Sequence, residues 1–405
     1  MDSATAASRF PPSQSLAVGA LLTALTALGQ VSTALYVPSL PSMGDYFHTD
    51  NHRVALTMTV FLVGFAVSQL VYGPLADRYG RRPVLLGGLT VYLLASAACA
   101  TAGSIDSLIA WRFLQATGAC SGQVVARAVV RDVYGRERAA KVLAYIGAAL
   151  AISPAVMPAL GGVLQGAFGW RAAFVALAVI AGLVLFFAWR LLGETRPADA
   201  PAEPPSGLVR GYGRLLVAPV YLGYVGVVAC VFAGLMAYVT ASPFLFIDGL
   251  GLSPEAFGLL SMFNVVGFLA GTLAAGRWSL HFGVRRMTAA GLSLSLAGSG
   301  LMVGLALAAP PAVPFVVGPM AVFLSGLGIV MANGMAGALA NFPRLAGTAS
   351  ALLGCLQMLT AAAASLLAGH LDHVTALSMA GEMLTLALMG AGCFGLVLVF
   401  ERKAA

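Results

Sequence analysis

The chain is 405 residues long, 60% hydrophobic and only 9% charged, where a soluble globular domain carries about 25% charged residues. That balance, with 48 glycines, excludes a disordered, collagen-like or nucleic-acid-binding chain and argues against a soluble enzyme. A formal net charge of +7 therefore calls for a membrane explanation.

A helix needs about 20 apolar residues to cross the hydrocarbon of a bilayer, and twelve such runs begin near residues 14, 53, 82, 107, 141, 171, 215, 255, 287, 313, 346 and 377. The first, from about Leu16 to Val37, exceeds the apolar core of a secretion signal, about 7 to 15 residues, and reads as a retained helix. The predicted fold class is an all-α membrane protein: a tail over 1–13, a six-helix bundle over 14–192, a linker over 193–213, a second six-helix bundle over 214–401 and a tail over 402–405. The segment Gly193 to Gly213 holds four prolines and mixed charges and reads as a flexible linker. With the N-terminus placed in the cytoplasm, 19 of the 22 basic residues fall on the cytoplasmic side, the exceptions being Arg53, Arg112 and Arg171. The acids divide almost evenly, so the asymmetry is the positive-inside pattern, with both termini cytoplasmic.

The two bundles read as copies. A shift of 203 positions superposes Val63, Gly64, Phe65, Gly73, Gly80, Arg82, Gly88 and Leu89 on Val266, Gly267, Phe268, Gly276, Gly283, Arg285, Gly291 and Leu292 without a gap. Six helices per copy give both the same orientation, the arrangement of parallel-repeat transporters with a site between halves.

Polar residues inside the spans are the candidates for function. On the first helix Thr23, Thr26, Gln30, Thr33 and Val37 form a stripe, with Ala34 on the same side; on the fourth, Arg112, Gln115, Ala119, Gly122, Gln123 and Ala126 share one face. Arg112 is close enough to the helix end for snorkelling to the interface to compete with a site role. Tyr36, Phe61, Gln69, Tyr238, Asn264, Asn333 and Gln357 complete the inward candidates, a mostly apolar set with a few polar groups that suits a small lipophilic molecule. Glu382, about one turn inside the twelfth helix, is the nearest acid to the membrane interior. The five cysteines lie in apolar spans without CxxC spacing, the fifteen methionines show no periodicity, and Asp45, His48 and His52 make at most a loop HxxxH, so neither metal site nor cofactor is expected.

The loop between the second and third helices reads GPLADRYGRRPVLL over 73–86. It resembles the loop signature of the major facilitator superfamily, and AYVTASPF over 237–244, Asn264 and AGTASALLG over 346–354 are similar to its bicyclomycin and chloramphenicol resistance (Bcr/CflA) subfamily. The resemblance implies that Asp77, Arg78, Arg81 and Arg82, assisted by Arg131 and Asp132, work a cytoplasmic gate, with Asp77 pairing with arginines or meeting a helix N-terminus. It also gives Arg112 a role in coupling or substrate handling. Pro154, Pro158, Gly161 and Gly162 partly match the exporters' antiporter motif, with Ser153 and Met157 in place of glycine. In the second copy Leu280 stands where the loop has its acid, and Ala34 stands where the subfamily carries a first-helix carboxylate. The expected function is export of an amphiphilic small molecule across a bacterial inner membrane by a monomer, through alternating access and proton antiport. Ala34 keeps open a permease that imports or exchanges a nutrient or metal without proton coupling; a membrane-embedded enzyme or sensor is the remote third reading.

Overall fold

The computed structural model describes residues 12–196, 205–370 and 375–404, and among these every regular element is helical. In chain order they are α1 (Pro12–Ala34), a 3-10 turn (Val37–Ser39), α2 (Leu40–Phe47), α3 (Asn51–Tyr79), α4 (Arg81–Ala100), α5 (Ile105–Phe168) and α6 (Arg171–Leu191). The second half holds α7 (Pro205–Leu216), α8 (Pro219–Pro243), a π turn (Phe244–Gly249), α9 (Pro254–Phe282), α10 (Val284–Ala308), α11 (Val313–Ala340), α12 (Ala346–His370) and α13 (Ala376–Ala404).

Local chemistry sets the ends. Asp50 caps α3 by accepting from the Arg53 N–H at 2.9 Å, Ser104 and Ser107 form a reciprocal capping box on α5, and Ser253 caps α9 ahead of Pro254. Gly80 and Gly283, superposed by the 203-residue shift, break α3 from α4 and α9 from α10 with φ of 100° and 81°, a region that costs glycine nothing and other residues strain.

At 64 residues, α5 would extend about 96 Å if straight, some three times the hydrocarbon thickness. It is not straight. Arg112 Nη1 donates to the Ser32 carbonyl at 3.2 Å, and Gly161 lies against the Leu35 carbonyl, so residues near its two ends meet α1 within one turn of each other. Val129, Val130 and Ile146 instead share a cluster with Val18, Leu21 and Leu22 toward the other end of α1. The helix therefore doubles back between Val130 and Ile146, and its two arms are the spans expected near residues 107 and 141. Ten helices among the described residues are long and apolar enough to cross a membrane; the arms of α5 supply two further passes.

Part of the segment expected to be a flexible linker is structured, which corrects that reading. Pro205 opens α7, a position where its missing N–H costs nothing, and Tyr212 and Leu215 bury one face in the main hydrophobic cluster, while Gly211 packs beside Leu345 and Thr348 at the start of α12. Residues 197–204 lie outside the described ones.

Large apolar side chains, among them Leu94, Leu183, Val266, Leu273 and Leu388, are exposed on outer faces, as helices in contact with lipid require. Inside, lipid offers no hydrophobic drive for helix association, so close packing through small residues does the work. A Cβ on Gly118 would fall 2.7 Å from the Gly88 carbonyl, bringing the first arm of α5 onto α4. All five cysteines are free thiols.

Candidate functional site

The α5 capping box fixes where the helix starts, and eight residues in, Arg112 is 0% exposed. That overturns snorkelling: the guanidinium stays inside the first bundle. Nη1 donates to Gln115 Oε1 at 2.6 Å and to the Ser32 carbonyl at 3.2 Å, and Nε donates to the Thr57 carbonyl at 3.4 Å. Its Cζ lies 4.2 Å from the Tyr36 ring centroid, 4.3 Å from Phe61 and 5.9 Å from Phe174. No carboxylate joins these contacts, and Nη2 is buried without a hydrogen-bond partner. Cation–π contacts are worth about 2 kcal/mol each when desolvated, and carbonyl dipoles replace the missing counter-ion. Gln115 Nε2 passes the network to Ser96 Oγ at 2.8 Å, while Ser32 Oγ meets the Tyr92 hydroxyl at 2.6 Å. Of the sequence candidates, Tyr36, Phe61, Arg112 and Gln115 are thus one cluster. Phe174 belongs to it and was not among them.

The two halves meet in a seam at the Arg112 end. There the turn after α1 packs on α8 and α9, and the second arm of α5 crosses α9. The crossing is made backbone to backbone: a Cβ on Gly258 would lie 2.9 Å from Ala159 Cα, and one on Gly162 would lie 3.0 Å from Glu255 Cα. Beside it α3 and α12 run together, with Thr59 Oγ1 donating to Ser365 Oγ at 3.3 Å and Thr240 of α8 joining Ser365 at 2.9 Å. Further along, Gln69 abuts Gly354.

Just inside the seam Gln30 is exposed and Thr23, Ala27, Thr33 and Ala34 are half-exposed, whereas Leu25, Leu28 and Ser32 on the opposite face of α1 are buried against α5 and α6, and Thr26 and Val37, expected on the open stripe, are buried as well. A polar stripe opening from beneath a contact between halves faces the space between them, since amides and hydroxyls facing lipid would be costly. Gln30 therefore stands apart from Arg112, with the thickness of α1 between them. In the second half Asn264 Nδ2 donates to the Tyr238 hydroxyl at 3.1 Å; Asn333 Nδ2 donates to its own helix at Ile329 O, and Gln357 Nε2 approaches Met331 Sδ at 3.8 Å. Those residues form two local pairs and a self-bonded amide, not one cluster with Arg112. Glu382 is 8% exposed, and neither carboxyl oxygen has a hydrogen-bond partner.

At the opposite, basic end, Arg81 bridges two acids: Nη1 donates to Asp77 Oδ1 at 2.6 Å and Nε to Asp132 Oδ2 at 3.1 Å. Arg82 Nη2 donates to the Trp189 carbonyl at 3.0 Å, and Arg78 offers its carbonyl to Arg196 Nη1 at 3.0 Å; Arg131 is exposed beside Asp132. The N-terminus of α4 is capped not by Asp77 but by Glu194, which accepts from the Arg81 and Arg82 N–H groups at 2.9 and 3.2 Å. Partial burial pushes its carboxyl upward, but N–H donors from Arg196, Arg81, Arg82 and Thr195 outweigh it and hold it below the usual carboxylate range. In the second copy Leu280 is 98% exposed, and the acid arrives from the end of α13: Glu401 lies 3.6 Å from Arg285 and accepts from the Tyr224 hydroxyl at 3.1 Å. Glu194 and Glu401 were both missed in the sequence; each follows or ends the last helix of its half. All these contacts join elements of a single half.

The model of the Major Facilitator Superfamily matches residues 20–365. Multidrug resistance protein D of Escherichia coli is 32% identical over 342 residues, 83% of this chain and 84% of that protein. The chloramphenicol resistance protein of Pseudomonas aeruginosa is 33% identical over 384 residues, 92% of this chain and 89% of that protein. Among solved structures, an inward-facing bacterial homologue of the human lysosomal transporter Spinster superposes with a TM-score of 0.75 at 14% identity, covering 97% of this chain and 98% of the other.

Proposed function

This chain belongs to the major facilitator superfamily, and on that premise we propose that it exports an amphiphilic small molecule, of the amphenicol or bicyclomycin kind, across the bacterial inner membrane in exchange for protons. The names of the relatives support the substrate class. The observation that carries the mechanism is the seam: glycine-mediated contact joins the halves at one end, and directly inside it the Gln30 stripe opens into the space between them. In this reading the basic end is cytoplasmic, following the positive-inside distribution, and the state described is closed toward the periplasm. A lipophilic molecule enters between the halves, meets Gln30 and the hydroxyls of α1, and leaves when the seam parts and the basic end closes. Asp77, Arg81 and Asp132 tie α3, α4 and α5 together so that the first bundle rocks as one body. Arg112 holds α1, α3 and α5 in register at the depth of the site, and Glu382, a buried carboxyl with no hydrogen-bond partner, is the proton carrier in place of a first-helix acid.

The test uses inside-out vesicles holding a pH gradient. Adding chloramphenicol should dissipate the gradient with the unmodified protein and fail to do so with Glu382→Gln or Arg112→Ala at equal expression. Chloramphenicol transport with no proton movement would overturn the coupling, and no transport of any amphenicol or bicyclomycin would overturn the substrate class.

A further inference from the structure

The seam holds a pair of imidazoles that transport of an organic molecule does not use. His52, in the first turn of α3, and His370, at the last residue of α12, belong to different halves and touch, their ring centroids 3.8 Å apart with planes inclined at 54°. Gly369 packs directly on Ala55 and beside the His52 backbone, so the close approach of α3 and α12 fixes the pair from below.

The state of the nitrogens is informative. His370 Nδ1 lies 2.8 Å from the Leu366 carbonyl; the carbonyl only accepts, so in the neutral ring Nδ1 carries the proton and Nε2 has the lone pair. Histidines that bind metals use this arrangement, one ring nitrogen donating to a backbone carbonyl while the other coordinates. His52 Nδ1 is buried and has no hydrogen-bond partner, an unmet valence that a bound ion would satisfy. Asp45, His48, Asp50 and Asp248, with Asn51 next to His52 in the chain, line a cavity of about 490 Å³, and its carboxylates raise the local concentration of cations. Among the described residues no cluster of three or more metal-ligating side chains exists, so the donors are two.

We propose that His52 and His370 form a two-imidazole site for zinc or a similar borderline divalent ion, completed by water, that exists only while the halves are closed at this end. Imidazole nitrogen suits Zn(II), Ni(II) and Cu(II) over the hard oxygen-seeking ions. To coordinate one ion the two rings must swing apart about their Cβ bonds from this stacking contact until a lone pair of each faces a common point, at Zn–N distances of about 2.0 to 2.1 Å. Because the donors come from opposite halves, parting the seam removes one of them, and an ion that binds one conformation better than the other shifts the equilibrium by that ratio. Zinc would therefore clamp the transporter in the closed-seam state. This inference rests on the reading that the seam opens during transport, but binding itself does not.

The experiment titrates purified full-length protein with ZnCl2 by calorimetry, and separately follows the distance between spin labels placed on α3 and α12 at the seam. We expect one zinc per chain, an affinity at least about tenfold weaker in His52→Ala and in His370→Ala, unchanged binding in His48→Ala, and narrowing of the seam distances on adding zinc only where both imidazoles are present. Zinc binding that survives the His52→Ala, His370→Ala double variant, or no binding by a protein whose circular dichroism is native, would overturn the site. Binding that leaves the label distances unchanged would overturn the clamp. Failure of drug transport would leave the calorimetry readable, so the two proposals fail separately.

Discussion

Replacing Gly258 by alanine probes the seam with a single methyl group. The added Cβ would stand 2.9 Å from Ala159 Cα and 3.1 Å from Pro158 C, and both neighbours are backbone, which cannot rotate away as a side chain can. Overpacking of this kind costs about 1 to 3 kcal/mol. In the alternating-access cycle proposed above, the cost applies only while the seam is closed, because opening separates α5 from α9, so it is charged to one conformation and appears as a population change. At 1.4 kcal/mol per factor of ten, the ratio of open to closed seams should rise about 5-fold to about 140-fold. Paired spin labels on α5 and α9, read by pulsed dipolar spectroscopy in nanodiscs, report that ratio as the weights of a short and a long distance. Gly182→Ala is the control, because nothing lies within 4 Å of a Cβ built there. A folded Gly258→Ala protein whose distance distribution matches the unmodified one would refute the argument that glycine at this crossing sets the conformational balance.

Two further outcomes follow from the site. Arg112→Lys keeps the charge but loses the fork that reaches Gln115, Ser32 and Thr57 together; it should lower transport at least about tenfold and also lower the thermal unfolding temperature in detergent, because buried acceptors lose a charge-assisted hydrogen bond, and full transport by this variant would exclude a role for the fork. Glu194 is held below its ordinary pKa by N–H donors, so its contribution is complete above the unfolded carboxylate value and is lost as the pH falls through the lower folded value; thermal scans should show the unmodified protein losing this advantage in that acidic window, with Glu194→Gln less stable by about 1 kcal/mol at neutral pH and flatter across the window.

The spans were legible because hydrocarbon thickness and charge asymmetry act on every residue of a run, and local pattern is enough to see them. The loop over 73–86 was legible for a related reason: its glycines and arginines are adjacent in sequence. What escaped was whatever several elements build together. Arg112 was visible as a charge in an apolar helix, but its cage draws Tyr36 from the end of α1, Phe61 from α3 and Phe174 from α6, and no periodicity links them. Glu194 was hidden because the prolines after it made the whole segment read as linker, when its side chain in fact reaches across more than a hundred residues of chain to the start of α4. The continuous helical conformation of α5 through its reversal also has no signature in a hydropathy profile, which shows two runs whether or not helix persists between them. Gln30 and Arg112 both read as inward because each is polar in an otherwise apolar span, and only the burial pattern around α1 separates the face that meets the other half from the face that meets its own bundle.

The crossing of α5 and α9 is built from main-chain atoms held apart by nothing larger than glycine hydrogens. Its shape is consequently indifferent to most of the side chains that line the interior, and the stripe on α1 can change its chemistry without altering how the two bodies fit. On the transport mechanism proposed above, a lineage that keeps Gly162 and Gly258 is free to exchange residues such as Gln30 or Thr33 one at a time, each step altering what is carried while the moving parts stay matched. Separation of cargo from machinery at the level of atoms gives one scaffold room to acquire new ligands by small, independent steps.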